Sequence, residues 1–120
     1  MISSFATVAV AIVAALHVGF LILEMFLWTK PLGRRVFRLQ PDFANASSAL
    51  AANQGLYNGF LAAGLIWGLL ADANRLGLLT FFLVCVIAAG IYGAITVSRS
   101  ILSVQAAPAA VALALVLLAR

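Results

Sequence analysis

Four long apolar stretches, at about 2–28, 47–70, 76–97 and 101–119, take up most of this 120-residue chain. Each is close to the roughly 20 residues that carry an α-helix across a hydrocarbon core. Lipid offers no hydrogen bonds to the backbone, so a spanning segment must be a helix or part of a closed barrel. No alternating polar and apolar pattern supports a barrel. Composition agrees: the chain is 66% hydrophobic and 8% charged, with a mean hydropathy of +1.20. A soluble domain of this length has too little interior to hide that much apolar surface. The expected fold is all-α, a single integral membrane domain over 1–120 built as a four-helix transmembrane bundle. The links at 71–75 and 98–100 are very short, which makes the second, third and fourth helices antiparallel neighbours.

The link at 29–46 differs. Pro31 and Gly33 end the first helix, Pro41 and Asp42 punctuate before the second, and Asn45, Ser47 or Ser48 is placed to cap it. Lys30, Arg34, Arg35 and Arg38 lie here, the arginines interleaved with Val36, Phe37 and Leu39. That pattern fits a short interfacial segment, apolar side toward the acyl chains and arginines toward lipid phosphates. Trp28 reads as an interfacial anchor beside it. With four spans, the first and third links share a side and carry five basic residues, against Arg75 and Arg120 on the other. The bias puts the basic link 29–46 in the cytoplasm and both termini outside, without excluding dual topology.

The net charge of +4 therefore describes a membrane-flanking cluster, and no nucleic-acid partner is expected. The apolar N-terminal run is too long and lacks the basic flank of a cleaved signal peptide. The lone Cys85 reads as a small apolar filler, since no disulfide can form within one chain.

Two ionisable side chains interrupt the first apolar run: His17 and Glu24, seven residues apart on one helix face, about 10 Å along its axis. A carboxylate at such a place is costly unless it is paired, protonated or facing a cavity, which makes Glu24 a functional-site candidate. In the second segment Asn53 and Tyr57 share a face, and Gln54 and Asn58 share the adjacent stripe. Measured from the cytoplasmic helix ends, Gln105 and Glu24 lie about 6 Å deep, Tyr92 about 7 Å and Asn53 about 9 Å. Tyr57 and His17 lie about 15 to 17 Å deep. Unpaired amides are expensive in hydrocarbon, so the economical arrangement turns His17, Glu24, Asn53, Tyr57, Asn58, Tyr92 and Gln105 inward around one pocket. Taken singly, each asparagine is equally well read as glue between helices, and His17 as a neutral bridging donor.

Small residues recur at helical spacing: Gly55 with Gly59 and Ala63, Gly64 with Gly68, Ala89 with Gly93. They suit close helix packing within one bundle, or alternatively a homodimer seam. One His and one Glu, with no second His or Cys nearby, do not make a metal site. No phosphate loop, nucleophile elbow or dinucleotide fingerprint is present, and no cofactor is expected.

The string His17-x-x-Phe20-x-x-Leu23-Glu24-Met25-Phe26-x-Trp28 resembles the signature of a small bacterial membrane family catalogued as domain of unknown function 1304. The resemblance extends to Asn53-x-Gly55-x-Tyr57-Asn58-Gly59-Phe60-Leu61-Ala62-Ala63-Gly64, to Ala88-Ala89-Gly90-Ile91-Tyr92-Gly93-Ala94-x-Thr96, and to Gln105-x-x-Pro108-Ala109. It covers nearly the whole chain. It implies a four-helix protein of the bacterial inner membrane, and transfers no activity.

Three functions fit the residues. One is a small transporter or binding protein, in which Glu24 couples proton release to a cationic or hydrogen-bonding substrate. Very small four-helix exporters offer an architectural analogy for it. Another is an intramembrane enzyme acting on an isoprenoid- or sterol-like substrate, with Glu24 and His17 as acid and base and Asn53, Tyr57 and Asn58 as orienting groups. The third is a structural or partner-binding subunit, in which Glu24 is replaceable by Gln. The partners these readings admit are the lipid bilayer, a small-molecule or lipid ligand, and a second copy of the chain.

Overall fold

A computed structural model describes residues 2–119. Met1 and Arg120, the latter one of the basic residues assigned above to the outer side, lie outside the described residues. The described residues form helices joined by short links: α1 (Ser4–Met25), α2 (Pro31–Phe37), α3 (Pro41–Leu70), α4 (Arg75–Thr96) and α5 (Ala107–Leu118), the last preceded directly by a π-helical turn over Leu102–Ala106. No strand occurs among the described residues. By length and apolar composition, α1 and α4 can cross a membrane, while Leu102–Leu118 is a shorter apolar helix. Helix α3, with 30 residues, is longer than either, but its first half is rich in polar side chains. The expected four spans are therefore two by this measure.

Helix α3 starts at Pro41, several residues before the expected start near 47. Proline suits a first helical turn because its missing N–H would find no partner there, and Asp42 complements the positive end of the helix dipole. Asn45, Ser47 and Ser48 are consequently inside the helix and do not cap it. The Ser47 hydroxyl donates to the Phe43 carbonyl at 2.6 Å, and that of Ser48 to the Asn45 carbonyl at 3.1 Å.

The chain divides into two compact units, one of Met1–Leu16 with Leu61–Arg120 and one of His17–Phe60. In the first, Val10 and Val13 of α1, Leu65 of α3, Leu79, Leu83 and Val86 of α4 and Val116 of α5 form a fully buried core. Small residues bring the helices close. Gly64 lies against Phe82, Gly68 against Leu79, and Gly90 against Ala106. In the π-turn the Ala107 N–H reaches back to the Leu102 carbonyl. Pro108 supplies the reason: it has no N–H, and its ring crowds the carbonyl four residues earlier.

In the second unit, the end of α1, all of α2 and the first two-thirds of α3 pack together. Gly55 and Gly59 of α3 face α1. A Cβ on Gly55 would lie 2.6 Å from Met25 Cγ, and one on Gly59 would lie 2.6 Å from Leu21 Cδ1. The Gly55–Gly59 and Gly64–Gly68 rows are thus filled from within the same chain.

Candidate functional site

The site candidate lies in the second unit. Glu24 is placed in the last turn of α1, beside the glycine contact: a Cβ on Gly55 would lie 3.2 Å from Glu24 Cβ. That closeness lets the side chain meet α3. Asn58 Nδ2 donates to Glu24 Oε1 at 2.6 Å, a bond at the short limit for an N–H donor. Both side chains are partly buried.

Helix geometry selects Asn58 and rejects its neighbours. Successive residues turn about 100° around the axis, so Asn53 and Tyr57 each point about 160° away from Gly55, off the face that packs on α1. Asn58 points about 60° from Gly55 and flanks that face. Accordingly Asn53 is exposed, and its amide donates to the Ala49 carbonyl of its own helix at 3.2 Å. Tyr57 is 56% exposed and lies tilted beside Phe60, with ring centroids 6.1 Å apart. The expected inward network is therefore narrower than the sequence suggested.

His17 is fully buried and packs edge-on against Phe20, with ring centroids 5.3 Å apart. Tyr92 and Gln105 belong to the other unit. Tyr92 is 71% exposed, which removes it from an inward layer. Gln105 is partly buried and donates to the Val86 carbonyl at 3.5 Å, a long bond across to α4. An open, mostly apolar groove in that unit is lined by Ile91, Ala94, Ile95, Arg99 and Leu102, none of which was expected at a site. No cluster of metal-ligating side chains occurs among the described residues.

The basic link is a folded element. Trp28 packs against Phe37 with the rings tilted and their centroids 4.9 Å apart, and its indole N–H donates to the Ser47 hydroxyl at 3.0 Å. The anchor expected at the interface is thus also a bracket tying α2 to α3. Gly33 is buried against the Leu27 backbone, leaving no room for a side chain. Lys30, Arg35 and Arg38 are exposed and Arg34 is half-buried. Ser47 and Gly33 are the participants that sequence reasoning gave other roles. Pro41 and Asp42, as a helix-start signal, would have placed Ser47 inside α3 and so within reach of Trp28.

The chain belongs to the family described as Protein of unknown function (DUF1304), whose model matches residues 11–117. That span includes Glu24 and Asn58, and the match confirms the resemblance carried by the motifs. The chain is also similar to the Uncharacterized protein YpaA of Lactococcus lactis subsp. lactis (strain IL1403). The two are 29% identical over 110 residues, which cover 89% of this chain and 92% of that protein. No solved structure matches the chain significantly.

Proposed function

We propose that this is a multi-pass protein of the bacterial inner membrane that binds a small cationic or hydrogen-bonding solute at Glu24 and exchanges it against a proton. The four apolar segments are its spans, the shorter Leu102–Leu118 helix included. The membrane reading draws support from α1 and α4, which expose Phe5, Val8, Ile12, Phe81, Val84 and Ile95 to their surroundings. Apolar surface of that extent suits lipid and not water. The single observation that carries the site is the 2.6 Å hydrogen bond by which Asn58 of α3 reaches Glu24 in the apolar helix α1. An amide donor holds the carboxyl group in place while leaving its second oxygen for a solute or a proton.

The test is uptake of tetraphenylphosphonium, a lipophilic cation, into proteoliposomes across a pH gradient. Uptake by the wild-type protein should follow the gradient. Glu24→Gln should keep the fold, because the amide preserves size and hydrogen bonding, and should abolish the dependence on pH. Identical behaviour of the two proteins would give Glu24 a structural role and overturn the proposal.

A further inference from the structure

We infer that α2 and its flanks form a binding site for the headgroup phosphate of an anionic phospholipid, with Arg34, Arg35 and Arg38 as the recognising groups. The inference rests on the membrane reading above and adds which lipid the protein holds. Lys30, Arg34, Arg35 and Arg38 fall within nine positions, and no acidic residue occurs between Glu24 and Asp42 to neutralise them. Three of the four are exposed. The fourth, Arg34, is half-buried, and its Nε is enclosed without a hydrogen-bond partner among the described residues.

The platform under these cations is held in place. The Trp28–Phe37 ring contact and the Trp28–Ser47 hydrogen bond fix α2 to α3, and Gly33 lets α2 lie directly on the Leu27 backbone. A pre-organised guanidinium can grip a phosphate with two parallel hydrogen bonds, where a floating one would lose entropy first. The same short helix turns Leu32 and Val36 outward, one turn apart and each 50% exposed. An apolar stripe flanked by arginines on a helix that is held in place matches the boundary between acyl chains and headgroups. A free phosphate would have no use for the stripe, so the occupant is a lipid.

Native mass spectrometry of the full chain in detergent micelles provides the test, comparing dioleoyl-phosphatidylglycerol with dioleoyl-phosphatidylcholine. The wild-type protein should retain the anionic lipid preferentially. The variant R35Q/R38Q changes exposed side chains only, should keep its helical circular dichroism, and should bind phosphatidylglycerol roughly thirtyfold more weakly. Adding R34Q should extend the loss to roughly a hundredfold or more. Millimolar inorganic phosphate should not displace the lipid. Equal retention of both lipids by the wild type, an undiminished preference in R35Q/R38Q, or displacement by phosphate would overturn the inference. Recovery of the protein from carbonate-washed membranes separates the two readings. Absence from membranes sinks the membrane reading itself, whereas membrane-embedded protein without lipid preference sinks only this inference.

Discussion

Asn53 and Asn58 are five positions apart on α3 and have different fates: one bonds to its own helix, the other to Glu24. The pair decides what the site is made of. Asn58→Leu should leave the Glu24 carboxyl group without its amide donor, at a cost of about 1–3 kcal/mol. Asn53→Leu removes only a bond within its own helix and should change stability by less than about 0.5 kcal/mol. Thermal unfolding in detergent, followed by circular dichroism, checks both, and equal effects would argue against the pair as a site. Two glycines give a second contrast. A Cβ on Gly33 would fall on the Leu27 backbone, which cannot yield as a side-chain tip can, so Gly33→Ala should destabilise by about 1–3 kcal/mol or more. Gly19, inside α1, has nothing within 4 Å of the same position. Gly19→Ala should instead stabilise by roughly 0.5–1 kcal/mol, through helix propensity alone.

Among the elements, the π-turn before α5 has a local cause that can be removed. Pro108→Ala restores an N–H that can donate to the Val104 carbonyl, and the turn should then close to ordinary α-helical pairing. Hydrogen exchange at residue 108 reads this directly: a protected amide is expected. Rapid exchange there would mean that the close seat of Gly90 on Ala106, and not the proline, holds the wider turn. The basic link makes the complementary point. Its residues read as a short interfacial segment set off by prolines, and they form α2 because Pro31 opens a helix well and Arg38 closes it in a left-handed conformation with φ of 55°. The alternation of arginines with Val36, Phe37 and Leu39 was readable, whereas the bracket from Trp28 to Phe37 and Ser47 was not, since it joins residues up to 19 positions apart.

For the whole molecule, the distribution of basic residues leads to an expectation about sidedness: the link carrying Lys30 to Arg38 faces the cytoplasm and the C-terminus faces out. Reporter fusions at the C-terminus should then give a periplasmic signal, and equal signals from both sides would mean dual topology. The all-helical class, the apolar segments and the family were legible in the residues alone, because hydropathy and turn chemistry are local properties that survive without partners. The candidate polar residues were visible one by one, again because an ionisable or amide side chain in an apolar run needs no structure to stand out. Their sorting was not. Asn53, Tyr57 and Asn58 have similar chemistry, and which of them meets Glu24 depends on the rotation of α3 about its axis, which is set by where Gly55 and Gly59 seat against α1. That contact joins positions more than 30 residues apart, and no local pattern encodes the phase of one helix against another. The glycine spacing marked a packing face, and measuring each polar residue's angle from it would have pointed to Asn58 once α1 was known to be the partner.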